Sequence, residues 1–316
     1  PDIVSESGRA IAAYHSALIV EVVGQTGPGG TVQTFKGIPA GTSTLPLPLA
    51  NLQQTDQDLN PNNLHESFHD AQLALETAIN MFSTGHLTLR QRNCAENLFW
   101  LICRKIQQMA AQLEEIPKDL LLLESLLAPT YLCNFSLFQS IPDSWAIKQL
   151  FPIMPIHRLD EAPTCAAVLG DMTCDSDGRV DTFIDRDGSG NTLMLHPLET
   201  EPYYLAGLLV GAYQEILGDL HNLFGDTHAV HVGLDAEGEV ILETVIQGDT
   251  VQDVLGYVCF EPEDLLAEVR RVADQAVLKG RFSRSEADCF IEYYRQGLAD
   301  YTYLESSDSS RDKSES

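Results

Sequence analysis

Positive charge is scarce in this chain. It carries 46 acidic residues against 19 Lys and Arg, a formal net charge of −27 over 316 residues. Such a surface repels nucleic acid and anionic membrane and draws in a cationic ligand, although plain acidity is also common among soluble cytoplasmic proteins. Paired cysteines are lacking as well. The seven present (94, 103, 133, 165, 174, 259, 289) are scattered, with no C-x-x-C pair and no zinc-ligand spacing. That argues against a disulfide framework and for a reducing, cytoplasmic compartment. Long apolar runs are missing too. Leu120–Leu127 and Leu205–Tyr213 are too short to span a bilayer, and no signal-peptide pattern is visible. There is no Gly-x-x-x-x-Gly-Lys loop, no Gly-x-Ser-x-Gly elbow and no internal repeat.

What remains supports a folded chain. The hydrophobic fraction is 44%, enough for a substantial core in two domains, or in one with a large insertion. The chain opens at Pro1 rather than Met, on the apolar pair Ile3–Val4, which reads as an interior strand; a fragment or processed chain is expected. Ala17–Val23 is β-branched and suits a buried strand. Residues 24–50, rich in Gly, Pro and Thr, read as a long loop. Asn60-Pro61 offers a helix start. Apolar residues then recur three and four apart through Leu64–Phe82 and Thr88–Leu113, and a shorter helix is expected over Asp119–Leu127 after Pro117. Together these predict an antiparallel helical bundle whose Phe99 and Trp100 are core. Ala166–Leu169, Val180–Ile184 and Thr192–Leu195 read as short strands. His228–Gly233 and Glu239–Ile246 read as a hairpin, and 262–280 and 283–298 as amphipathic helices, the second opened by a Ser283/Glu286 capping box. Glu305–Ser316 has the composition of a disordered tail.

Three short motifs could carry chemistry. In Glu6-Ser7-Gly8-Arg9, a guanidinium can fork onto a phosphate, glycine lets the backbone approach it, and a carboxylate can hold a protonated ring nitrogen. A surface ion pair is the plain alternative. Cys174-Asp175-Ser176-Asp177-Gly178 sets a thiol beside a carboxylate in a turn, fit for a proton donor and a cation receptor, or simply for an acidic turn. A calcium loop fails on spacing. Gly178 at loop position 6 puts Thr173 first and Ile184 last, and Gly188 puts Phe183 and Met194 there. In Gly211-Ala212-Tyr213-Gln214 the phenol could reach a phosphate or pack as a core aromatic. His221, His228 and His231 cluster without an acid at helical ligand spacing and read as structural or surface residues.

In this order the motifs resemble the series found in fold type III pyridoxal-phosphate (PLP) decarboxylases, with Ser7 where that family has Pro. Ile3–Ala10, Gln149–Leu159, Cys174–Gly178, Val210–His231 and Tyr301–Leu304 narrow the likeness to the biosynthetic arginine decarboxylases, over nearly the whole chain. The resemblance implies an α+β fold: the end of a PLP-binding β/α barrel, a helical-bundle insertion, a β-barrel or sandwich domain and a C-terminal helical domain. The expected divisions are 1–50, 51–140, 141–260 and 261–304, with a tail at 305–316. It also implies L-arginine as substrate, agmatine as product, PLP and Mg2+ as cofactors, and a homodimer or homotetramer. By resemblance, Glu6 would hold the pyridine nitrogen, and Gly8, Arg9 and Tyr213 the phosphate. Cys174 would protonate the substrate carbon, and Asp175 would receive the substrate's cationic end at a neighbouring subunit. No lysine here sits in the family's Schiff-base motif, so the chain alone is expected to be inactive. The alternative is a non-catalytic partner lending its Cys-Asp loop and β domain to a separate barrel subunit.

Overall fold

The computed structural model describes residues 2–5, 7–27, 45–113, 116–185, 188–199 and 201–305. A one-turn helix, α1 (Arg9–Ala12), leads into the ten-residue strand β1 (Ala17–Thr26). Four helices follow: α2 (Leu47–Asp58), α3 (Leu64–Ser83), α4 (Leu89–Ala110) and α5 (Lys118–Leu127). Next come β2 (Thr130–Cys133), the short helices α6 (Leu137–Ser140) and α7 (Pro142–Ala146), and β3 (Ile153–Pro155). Strands β4 (Cys165–Gly170), β5 (Arg179–Val180), β6 (Phe183–Asp185), β7 (Gly188–Gly190), β8 (Leu193–Leu195) and β9 (Tyr203–Leu208) complete the middle of the chain. The hairpin β10 (Ala229–Leu234) and β11 (Val240–Ile246) precedes α8 (Val251–Tyr257), α9 (Pro262–Leu278) and α10 (Arg284–Ala299).

The main sheet runs β3-β9-β1-β2-β4-β5, with β8 also paired to β4. Its pairings are antiparallel except β2 with β4. The parallel step is possible because the long excursion through α6, α7 and β3 separates those two strands. Val20 and Val22 alternate onto one face of β1 and meet Tyr131, Cys133, Leu169, Leu195 and Leu205 in a dry core. The helices between β1 and β2 build a second core from Leu52, Phe68, Ala71, Ala95, Ile102, Ile106 and Leu123. Each fully buried Leu or Ile there contributes about 1.5–3 kcal/mol. The Thr88 capping box starts α4, and the Ser283 box starts α10 as expected. Among the described residues, no helix is long and apolar enough to cross a membrane.

Four local expectations need correction. Among the described residues, Ile3 and Val4 pair with no strand, and each is 92% exposed. The 24–50 stretch contains the start of α2, whose Pro48 sits in the first turn, where a missing N–H costs nothing; residues 28–44 lie outside the described ones. Asn60 does not start α3. It holds a turn with Asn62 and Asn63, and the helix begins at Leu64. Val180–Ile184 is not one strand: β5 pairs with β4, while β6 pairs with β7 in a separate ribbon. Of the expected tail, 305–316, residues 306–316 fall outside the described set.

Candidate active site

The first motif enters α1, with Gly8 at its N-cap and Arg9 as its first residue, and a short turn through Ala13–His15 leads on into β1. The third follows β9, the neighbour of β1 in the sheet, so the register of that pair (Ala17 opposite Leu208) brings the two motifs together. After Leu208 the backbone doubles back over α1. The Val210 N–H donates to the Ser16 carbonyl at 3.3 Å and the Gly211 N–H to the Ala13 carbonyl at 2.9 Å. Only glycine permits this approach: a Cβ on Gly211 would stand 2.1 Å from His15 Nδ1 and 2.3 Å from the Ala12 oxygen. Tyr213 then adopts a left-handed backbone (φ 71°), a conformation costing a non-glycine residue about 1–3 kcal/mol.

That turn places the Tyr213 ring under Arg9, whose guanidinium carbon lies 4.9 Å from the ring centroid. The Tyr213 hydroxyl stands 3.3 Å from where a Cβ on Gly8 would be, so the absent side chain leaves the phenol open. Arg9 Nη1 also donates to Asp143 Oδ2 at 2.6 Å, and Gln214 Nε2 donates to the same oxygen at 2.8 Å. Burial alone would raise the Asp143 pKa, but the Gln214 and Arg9 hydrogen bonds and the Arg9 charge bring it below the ordinary carboxylate value. Asp143 and Gln214 are buried; Tyr213 is about half exposed (51%). The corner thus presents a guanidinium with spare donors, a hydroxyl and a glycine backbone, a set suited to an anion of phosphate type. Glu6 lies outside the described residues.

The second motif forms the turn between β4 and β5. Buried Asp171 organises it. Its Oδ2 accepts from the Leu137 N–H at 2.8 Å, and its Oδ1 accepts from the Thr173 N–H at 2.9 Å and hydroxyl at 2.7 Å. Burial nevertheless raises its pKa. Gly178 is required here, since a Cβ would meet Asp171 Oδ1 at 2.2 Å. Cys174 is exposed; its N–H lies 3.3 Å and its Sγ 3.7 Å from Asn222 Oδ1. Asp175 Oδ1 accepts from the Asp177 N–H at 2.8 Å, and Oδ2 lies 3.4 Å from His221 Nε2. His221 packs on Phe138, with ring centroids 4.4 Å apart. Both motif groups touch α7, two residues apart: Asp143 accepts from Arg9, while Trp145 Nε1 donates to Asp177 Oδ2 at 3.2 Å. Among the described residues, no hydrogen bond, ion pair or ring contact joins Cys174 or Asp175 directly to Arg9 or Tyr213. A cavity of about 580 Å³, lined by Phe68, Leu122, Val168 and Arg179 among others, contains none of the expected site residues.

Asp143, Gln214, Asp171, His221 and Asn222 went unread in the sequence as site residues. Gln214 closes the third motif, but its amide carries no sequence signal of the buried partner Asp143, and the acid near His221 is Asp175, in a turn distant in sequence.

Residues 43–124 match the family model described as the arginine decarboxylase helical bundle domain, and residues 251–304 match the arginine decarboxylase C-terminal helical extension. The chain is 46% identical to the biosynthetic arginine decarboxylase of Rhodopirellula baltica, over 96% of this chain and 49% of that protein. The likeness to the biosynthetic arginine decarboxylases runs through nearly the whole chain. Biosynthetic arginine decarboxylase 1 of Synechocystis is 47% identical, over 96% of this chain and 44% of its own length. The crystal structure of the Campylobacter jejuni biosynthetic arginine decarboxylase superposes with a TM-score of 0.76 at 31% identity, covering 95% of this chain and 47% of that one. The chain therefore spans about half the length of the arginine decarboxylases it matches. The expected fold is found: an α+β architecture with a helical bundle inserted in a sheet and a helical C-terminal extension.

Proposed function

We propose that this chain supplies the C-terminal half of an arginine decarboxylase, converting L-arginine to agmatine and CO2 with PLP and Mg2+, and that it acts as a dimer or tetramer in the cytoplasm. The reading rests on the convergence of Gly8, Arg9 and Tyr213, which come from the two sequence-distant motifs expected to share a phosphate. Their donors fit that dianion, and the space a Gly8 side chain would fill fits its close approach. The same reading divides the chain at 1–50, 51–140, 141–260 and 261–304.

When bound, PLP supplies an electron sink for the bond to the departing carboxylate. This chain's part is to hold and to protonate. Arg9 anchors the phosphate, kept in place by Asp143 beneath it, while Tyr213 donates its hydroxyl and Gly8 keeps the approach open. Glu6 holds the ring nitrogen charged. Cys174 delivers a proton to the substrate α-carbon, and Asp175 receives the guanidinium of arginine in a neighbouring subunit's site. Nothing in the described residues assigns a Mg2+ site.

Joining this chain in frame to the N-terminal half of the Rhodopirellula relative tests the proposal. Agmatine release from L-arginine is expected, with turnover lowered about 10²–10⁴-fold in Cys174→Ala and little change in KM. A soluble fusion that binds PLP yet releases no agmatine would reject the assignment. If instead the chain restores activity only when added as a separate polypeptide, the partner-chain reading gains.

A further inference from the structure

A second cluster of ligating side chains lies in the helical bundle, away from the candidate active site. His65 and His69 stand one turn apart on α3 and so share a face. Asp119, in the first turn of α5, reaches that face from across the bundle. Its Oδ2 lies 2.7 Å from His65 Nε2 and 3.7 Å from His69 Nε2. The three ligand atoms all fall within 4.8 Å of one another, and the two imidazoles meet edge to face with centroids 4.6 Å apart. Two packed imidazoles do not need a common carboxylate oxygen to be satisfied, because both side chains are more than half exposed to water. The oxygen is in a different position. Asp119 Oδ2 is shielded from solvent and accepts no hydrogen bond, despite the short distance to His65. A shielded carboxylate oxygen this close to two ring nitrogens, with no hydrogen bond from either, is what a shared cation would resolve.

We propose that His65, His69 and Asp119 bind a divalent transition cation of the zinc class, stapling α3 to the start of α5. Zinc takes imidazole nitrogen at about 2.0–2.1 Å and carboxylate oxygen at about 2.0–2.2 Å, which sets neighbouring ligands about 3.4 Å apart in a tetrahedron. The observed 2.7 and 3.7 Å bracket that spacing, and exposed imidazoles can make the adjustment by small rotations. Three protein ligands leave a fourth position for water. Two imidazoles and one carboxylate favour zinc, cobalt or nickel over magnesium or calcium, which prefer oxygen. The site is therefore distinct from any Mg2+ requirement of the decarboxylation, and its effect falls on the bundle. Without a cation the same groups make only a His–Asp contact, and the experiment separates the two cases.

Metal-free full-length chain, with the exposed thiols of Cys174, Cys259 and Cys289 alkylated, is titrated with Zn2+ and separately with Co2+. One equivalent of each is expected, with a visible Co2+ spectrum free of thiolate charge transfer and a thermal midpoint that rises on loading. Mg2+ at the same concentrations should do neither. In the His65→Gln/His69→Gln double variant, affinity should fall by about tenfold or more and the midpoint shift should vanish, while far-ultraviolet circular dichroism stays unchanged. A wild-type chain that takes up no equivalent beyond the double variant overturns the proposal, as does a midpoint shift that persists in the variant. Asp119→Asn binding zinc as tightly as wild type overturns the three-ligand assignment.

Discussion

Asp143→Ala should destabilise the protein by about 2–3.5 kcal/mol. The buried Gln214 amide would lose the charged acceptor it holds at 2.8 Å, a hydrogen bond to an ionised group worth about 1.5–3 kcal/mol. The Arg9 pair adds less. At 2.6 Å it is short, but the Arg9 side chain is 38% exposed, and solvent screening holds such a pair to about 0.5 kcal/mol. Asp143→Asn keeps an acceptor for Gln214 and loses only the charge, so about 1 kcal/mol is expected. Urea unfolding followed by Trp fluorescence in a Trp100→Phe background reads the site locally, because the remaining Trp145 shares α7 with Asp143. The pH dependence has a definite sign. The folded-state pKa of Asp143 is depressed below 3.8, so its contribution is present above that value and is lost as pH falls through the folded pKa. The gap between wild type and Asp143→Ala should therefore close in acid. An alanine variant within about 0.5 kcal/mol of wild type at neutral pH, or an asparagine variant equally damaged, would refute the reasoning.

Three further outcomes follow from the packing. Gly211→Ala drives a Cβ into His15 and the Ala12 carbonyl; overpacking of about 1–3 kcal/mol and displacement of Tyr213 from Arg9 are expected, read by chemical denaturation and by the tyrosine ring's NMR shifts. Leu52→Ala, at a fully buried position of α2, should cost about 2–5 kcal/mol by urea titration; a surface-like value would mean that α2 is not part of the bundle core. The Asp171 pKa is raised above 3.8 by burial, so its contribution is full below 3.8 and is lost as pH rises through the folded value. Stability measured as wild type minus Asp171→Asn should accordingly fall as pH rises from 3.8, and a pH-independent difference would contradict this.

The bundle and the C-terminal helices were legible because their apolar residues keep a helical period over many turns and their caps are chemically explicit, as at Thr88 and Ser283. Helix α2 was not. Its apolar residues crowd its first half beside Pro46 and Pro48, and a polar Gln-Gln-Thr-Asp-Gln-Asp run follows, so the local signal is that of a loop. Its helicity comes from burying Leu49 and Leu52 against α3 and α4. Val180–Ile184 misled for the opposite reason: two short strands of different sheets abut in sequence, and alternation alone cannot show that Asp181 and Thr182 change sheets. At the candidate site, the motif residues were readable by type and order. Their supports were not, since Asp143 and Asp171 act through burial and through partners that only the folded chain brings near.

The most direct test of the phosphate corner is binding of pyridoxine 5′-phosphate, which has no aldehyde to react with the six lysines, compared with unphosphorylated pyridoxine. Measured by calorimetry on the protein, the phosphate ester should bind more tightly, and Arg9→Gln and Tyr213→Phe should each remove most of that advantage. Equal binding of the two compounds, or an advantage untouched in both variants, would contradict a phosphate site built from Gly8, Arg9 and Tyr213.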